Sequence, residues 1–299
     1  MSLRQMEYLL AVVEADSFTR AAEALHVTQS ALSHQLKALE RQVGGRLLER
    51  MPRGVRLTPM GRAFLPHAEL TVRSAAQAQR AARAAAGAEG GELHIAAVHS
   101  VAAGLLPPVF ARWRLGHPGV GLVLHEYARG EDLVDSMERG VADLAVGHRP
   151  PQAGNGPLVH FGEEEVVAVL PPGDPLAGRG AVPLSALAGR DWIRCAMEPV
   201  VDGRPFIDLA CERAGFTPAT AVRTEHTSTA VQMAAAGVGV TVVPSYAVPS
   251  GCETVRLEPP WRRGLYVFAR VPLDGAGAAF TALLCSGPVP GAAPVSTPA

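Results

Sequence analysis

The stretch Ser17-Phe-Thr-Arg-Ala-Ala-Glu-Ala-Leu25-His-Val-Thr-Gln-Ser-Ala-Leu-Ser-His-Gln-Leu-Lys-Ala-Leu39-Glu40 carries two short amphipathic helical patterns with one tight turn between them. Leu32, Leu36, Leu39 and Val43 recur at spacings of three and four, which predicts one apolar stripe on one face of the second helix. Gln29, Ser30, Ser33, Lys37 and Arg41 fall on the opposite face. That face has no carboxylate and offers amide, hydroxyl and cationic donors of the kind that suit phosphate oxygens and purine edges. Ala21, Ala22 and Leu25 give the first helix a small buried side, and Ser17 and Thr28 stand where helix N-caps are wanted. The arrangement is that of a helix-turn-helix.

Outward from this motif, Gly44-Gly45 should end the second helix. Arg46–Arg50 and Val55–Leu57 read as two short strands, with turn chemistry in Pro52-Arg53-Gly54. This is a wing. Arg50, Arg53, Arg56 and Arg62 lie on or beside it with no carboxylate between Arg50 and Arg62, a positive field able to hold a phosphate backbone. Thr28, Gln29, Ser30, Ser33, His34, Lys37, Arg50, Arg53 and Arg56 are the expected DNA-facing residues.

With these residues in place the chain resembles the LysR-type transcriptional regulators. The likeness rests on Ser17-Phe18, Ala21-Ala22, Leu25, Val27-Thr28-Gln29-Ser30-Ala31, Ser33, Leu39-Glu40, Gly44, Leu47, Arg50, Val55-Arg56-Leu57-Thr58 and Gly61. Leu48 stands where the family pattern usually has Phe, and His34 where it often has Arg or Gln.

The chain has 299 residues, enough for a small domain and a larger one with its own core. Its net charge is only −1, but the distribution is uneven. Through Gly91 there are twelve basic and eight acidic residues, a net of +4, and the remaining fifteen basic and twenty acidic residues give −5. The basic excess lies with the helix-turn-helix. Neither an apolar leader near Met1-Ser-Leu-Arg nor an unbroken apolar span is present; the longest apolar stretch, 230–244, is interrupted by Gln232, Gly237 and Gly239. A cytoplasmic protein that does not engage a membrane is expected.

Thr58-Pro59 signals a new helix. Phe64, Leu65, Ala68, Val72, Ala75, Ala76, Gln79 and Ala82 trace one face of it to about Ala86, a length of about 40 Å, with Pro66 expected to bend it or interrupt a hydrogen bond. The resemblance implies antiparallel pairing of this helix with its copy in a second subunit. Ala86-Gly-Ala-Glu-Gly-Gly91 then breaks the helix. Beyond it, strands (92–98, 120–126, 144–147) alternate with helices (105–115, 131–139), which favours α/β architecture with a mostly parallel sheet. Segments 161–170 and 265–270 read as strands that pass between two lobes, and 184–189, 205–214 and 227–236 as helices of the second lobe. Leu105-Leu106-Pro107, His117-Pro118, Asp143-Leu144-Ala145, Asp174-Pro175-Leu176 and Ala236-Gly237-Val238-Gly239 resemble the same family's effector domain, shaped like a two-lobed periplasmic binding protein. The expected fold is therefore α/β overall: a winged helix-turn-helix over 1–58, a linker dimerisation helix over 59–86, a hinge over 87–91, a two-lobed effector-binding domain over 92–285, and a disordered tail over 286–299.

Ligand chemistry is expected where strand ends meet helix starts, because free N–H groups and the helix dipole favour an anion there. Ser100, with Val101 beside it, follows the first strand of the larger domain; a helix cap and an anchor for a carboxylate both suit Ser100, and the resemblance places effector contacts there. Across the cleft, the loop Cys195–Glu198, including Met197 and Glu198, together with His226 and Thr227, is the expected facing wall. Glu163-Glu164-Glu165 reads as a solvated turn or strand start. Cys195, Cys211, Cys252 and Cys285 lack metal-site spacing. No phosphate-binding loop, zinc helix or nucleophile elbow is present in the sequence, and no catalytic residue, cofactor or metal is assigned. The expectation is a regulator that binds double-stranded DNA in response to a small, anionic effector and works as a homodimer or homotetramer. A cysteine-based redox sensor is the alternative within the class, and a solute receptor without DNA activity a further one.

Overall fold

The structure, a computed structural model, describes residues 1–52, 54–85, 91–150, 156–195, 200–201 and 204–287. Two compact units divide the chain, one formed by Met1–Ala86 with Glu138–Val141, the other by Gly87–Met137 with Ala142–Ala299.

The first unit opens with α1 (Leu3–Ala15), α2 (Phe18–Ala24) and α3 (Gln29–Val43), continues through the hairpin β1 (Leu48–Arg50) and β2 (Val55–Leu57), and ends in α4 (Pro59–Ala85). Each of the first three helix starts is set by a side chain. Ser2 and Gln5 form a reciprocal capping box on α1, Ser17 Oγ accepts from the Arg20 N–H, and Thr28 Oγ1 accepts from the Ala31 N–H. Leu9, Val12, Ala21, Leu32, Leu39, Leu47 and Ala68 are fully buried together, so the leucine stripe of α3 faces inward and its polar face is left outside. Thr58 locks the wing to α4, donating from Oγ1 to the Arg46 carbonyl (2.6 Å) and accepting from the Gly61 N–H (2.9 Å). A Cβ on Gly61 would lie 2.0 Å from the Leu47 carbonyl oxygen, so only glycine fits.

Pro66 lies within α4, which runs on through it and is 27 residues long in all. Ala68 is wholly buried, and Phe64, Leu65 and Val72 pack on the same core, so the first part of the predicted stripe is covered by its own unit. The face left over begins farther along, where Ala76, Gln79 and Ala82 are exposed.

The second unit contains β3 (Glu92–Val98), α5 (His99–Gly104), α6 (Leu106–Gly116), β4 (Gly121–Tyr127), α7 (Gly130–Glu138), β5 (Leu144–His148), β6 (Leu158–Val169), β7 (Ala181–Pro183), β8 (Asp191–Cys195), β9 (Val200–Val201), β10 (Arg204–Pro205), α8 (Phe206–Arg213), β11 (Ala219–Thr224), α9 (Thr227–Ala235), β12 (Thr241–Pro244), β13 (Thr254–Phe268) and α10 (Gly275–Cys285). The main sheet runs β12-β6-β13-β5-β3-β4, with β7 on β13. It is mixed rather than mostly parallel: β3 pairs in parallel with β4 and β5, whereas β13 pairs antiparallel with both β5 and β6. The reason is that the two long strands pair directly with each other as the chain leaves the first lobe and returns to it. The first lobe closes on Ile95, Trp113, Leu144, Val146 and Phe280. The second holds Leu187, Trp192, Cys211, Val240 and Leu257 in one cluster, and Ile193, Ala230, Val231 and Val243 in another.

Candidate functional site

On the first unit Thr28, Gln29, Ser30, His34 and Lys37 are exposed on α3 and its cap, and Ser33 is half-buried. Gln29 Nε2 reaches Ser33 Oγ at 3.4 Å, and Ser33 Oγ also accepts from Arg50 Nη2 at 2.7 Å, so a wing-strand arginine is tied to the helix face. The Arg50 guanidinium lies 4.3 Å above the Phe18 ring, which fixes its direction by cation–π attraction. Lys37, Arg41, Arg46 and Arg50, with the His34 ring among them, border one concavity between α3 and the wing, and the four cations concentrate positive charge beside hydroxyl and amide groups. Glu40, on the same rim, accepts the Leu47 and Leu48 N–H groups at 2.9 and 3.2 Å and so serves the wing. Arg56 differs from its neighbours. Glu49 faces it across the hairpin and pairs with it at 2.7 Å, a cross-strand partner that reading along the chain did not reveal. Arg53 lies outside the described residues.

In the second unit β3 delivers the chain to α5 at the junction of the lobes. The cap of α5 is Val98, with no side-chain cap bond, and Ser100 lies inside the helix, so Ser100 is not a helix cap. Its hydroxyl neighbours the phenol of Tyr246. Tyr246 Oη donates to Glu164 Oε2 at 2.6 Å. The other carboxylate oxygen of Glu164 meets His148 Nε2 at 3.0 Å and is paired with Arg263. Burial opposes the charge on Glu164, yet His148, Arg263 and Tyr246 together hold its carboxyl down at about 2, from an ordinary 4.5. Burial, and then Glu164 itself, push the Tyr246 phenol well above 10.

The facing wall comes from α9. His226 is its N-cap residue, exposed and without a side-chain cap bond, and Thr227 begins the helix. The His226 and His99 rings meet edge to face, 4.8 Å between centroids, so the two lobes touch beside Ser100, while His99 Nδ1 is 3.0 Å from Glu126 Oε2. Cys195 Sγ lies 4.0 Å from Thr227 Oγ1. The structure therefore brings Ser100, His226, Thr227 and Cys195 to one place. Val101 is different: its side chain is fully buried in the first-lobe core and is not available to a ligand. Met197 and Glu198 lie outside the described residues, as do 86–90 of the hinge region and 288–299 of the tail.

Glu163-Glu164-Glu165 is a correction. These residues belong to β6; Glu164 is 1% exposed with partners on three other elements, and Glu165 pairs with Arg256 at 2.7 Å. The signal was there in part, since the alternation through Val166 and Ala168 puts Glu164 on their face. Its partners His148, Tyr246 and Arg263 come from remote segments, and nothing local marks them. All four cysteines are thiols rather than disulfides, Cys211 being closed inside an apolar cluster. Among the described residues no group of three metal-ligating side chains converges, and no helix is long and apolar enough to cross a membrane.

A winged helix-turn-helix with an open polar helix face, on a chain that also carries a two-lobed α/β unit, defines a ligand-responsive DNA-binding regulator. The chain belongs to the LysR family: residues 3–62 match the bacterial regulatory helix-turn-helix protein, lysR family, and residues 86–272 the LysR substrate binding domain. It is 34% identical over 254 residues to a probable hydrogen peroxide-inducible genes activator of Mycobacterium avium, covering 83% of this chain and 79% of the relative. It is 32% identical over 249 residues to the HTH-type transcriptional regulator AlsR of Bacillus subtilis, covering 83% and 82%. Its fold is similar to that of a full-length OxyR variant from Pseudomonas aeruginosa, with TM-score 0.69 and 23% identity over 95% of this chain and 96% of that one. The protein is a DNA-binding transcriptional regulator with an effector-binding domain.

Proposed function

We propose that α3 reads base edges in a major groove through Gln29, Ser30, Ser33 and Lys37, with Thr28 and His34 beside them and Arg50, Arg53 and the wing along the adjacent backbone. The observation that carries this is the exposed polar face of α3, held outward by three buried leucines and stiffened by the Arg50–Ser33 bond. Two copies joined through the far half of α4 would present two such faces to an interrupted palindrome. A small-molecule effector sits between the lobes against Ser100, His226 and Thr227, and its binding changes DNA affinity or bending. The role is regulatory and not catalytic, exercised in the cytoplasm where the DNA is.

The names of the relatives raise peroxide sensing as a second reading. The half-exposed thiol of Cys195, which donates to the Glu225 carbonyl at 3.4 Å, is the residue it would rest on. Cys211, in an apolar core, is a poor partner for it. Footprinting of the full chain on the DNA flanking its own gene, repeated with candidate metabolites and with hydrogen peroxide, tests both. Protection that responds to a metabolite and persists in Cys195→Ser supports the effector reading. A response to peroxide alone, lost in Cys195→Ser, overturns it.

A further inference from the structure

The wing is held by a carboxylate that lies far from it in sequence. Asp16 ends α1 in the left-handed conformation, at φ 47°, and its Oδ1 accepts from the Val55 N–H at 2.7 Å. Within the hairpin Arg50 stands opposite Val55, and the Met51 N–H donates to the Gly54 carbonyl at 3.1 Å. By the alternation of an antiparallel ladder, the Val55 N–H therefore points away from β1. Asp16 gives that outward donor its acceptor. The turn is shaped to the same group, because Gly54 is left-handed at φ 88° and a Cβ there would lie 2.5 Å from each carboxylate oxygen of Asp16. Charge alone makes this a costly arrangement, since a carboxylate on the wing opposes an approaching phosphate backbone. The bond is also exposed, where it adds little to the stability of the folded unit. What it provides is a hairpin already oriented when it meets DNA, so that ordering the hairpin is not a cost of binding.

We propose that Asp16 is a positioning residue for DNA binding: an acceptor that docks the wing on the end of α1 before DNA arrives, its negative charge incidental to that role. This rests on the wing lying along the DNA backbone beside α3.

Two replacements suit the left-handed backbone and differ in the acceptor: Asp16→Asn keeps a carbonyl oxygen, Asp16→Gly has none, and both remove the charge. Fluorescence anisotropy of the full chain on a labelled duplex from the DNA flanking its own gene compares them, with Lys37→Ala as the reference for the α3 face. Asp16→Gly should bind about tenfold more weakly than wild type, the cost of ordering a loose wing, while Asp16→Asn binds at least as tightly as wild type. Amide hydrogen exchange without DNA supplies a readout that does not depend on binding. It should quicken in Asp16→Gly within the wing alone and stay unchanged in Asp16→Asn. Exchange that quickens throughout the winged unit, as a merely structural role requires, overturns the proposal. Equal effects of the two replacements on DNA binding, in either direction, also overturn it, and the interface reading stands if Lys37→Ala still weakens binding. No change in any of the three variants removes the interface reading and the proposal with it.

Discussion

At the residue scale, Glu164 is a buried carboxylate whose charge survives because three donors reach it. Its folded value lies below its ordinary one, so its contribution to stability is fully present above about pH 4.5 and is lost as pH falls toward 2. The difference corresponds to about 3 kcal/mol. Urea titrations between pH 2 and 7 should show this acid slope in the wild type and a flatter one in Glu164→Gln, although that variant starts lower because Arg263 loses its partner. Equal slopes would show that Glu164 is not the group responsible. On the DNA face, Lys37→Ala should weaken binding to all sequences and reduce the salt slope by about one contact. Gln29→Ala should alter preference at one base pair by about 1 to 3 kcal/mol. Fluorescence anisotropy across salt and operator variants distinguishes the two, and identical effects would undo the division of labour. Residues whose role is local were legible in the sequence: Ser17 and Thr28 cap the helices expected of them. Glu164 was not, because a strand carboxylate reads as solvated until the tertiary fold brings His148, Tyr246 and Arg263 to it.

At the scale of elements, α4 illustrates what periodicity can and cannot give. The Thr58-Pro59 start and the helix beyond it followed from cap chemistry, but how far the winged unit's own core would climb did not. Because Ala68 is fully buried there, a charge at Ala68 would damage the fold of a single subunit and would not test pairing. Ala76 and Gln79 are exposed on the same stripe. The double change Ala76→Glu with Gln79→Glu should convert a dimer to monomer in sedimentation at micromolar concentration while the melting of the winged unit stays within a few degrees of wild type. A monomeric wild type would end the clamp assignment. The expected helix over 105–115 is α6, and a further short helix, α5, precedes it and meets it at Leu105, because the chain turns into helix directly after β3. Only the last four residues of β13, 265–268, were recognised. Its first half carries Glu258-Pro259-Pro260-Trp261, which reads as a turn, and the ladder shifts register between Arg256 and Trp261 at that point.

For the whole molecule, charge separation matters more than net charge. A net of −1 offers nothing to attract DNA, while +4 through Gly91 does. Regulation then requires that the effector and DNA each bind one state of the chain better than another. Linkage makes this a symmetrical demand. If an effector changes operator affinity by some factor, operator DNA must change effector affinity by the same factor. Calorimetry of the full chain with the effector found by footprinting, with and without saturating operator, should therefore reproduce the ratio measured by anisotropy in the other direction. Ser100→Ala should lower effector affinity about tenfold, the cost of one well-placed hydrogen bond, and leave effector-free DNA binding unchanged. Because coupling typically amounts to about 1 to 3 kcal/mol, a ratio between about 5 and 150 is expected in both directions. An effector that binds with Ser100-dependent affinity but shows a ratio of one in both would occupy the cleft without being the signal.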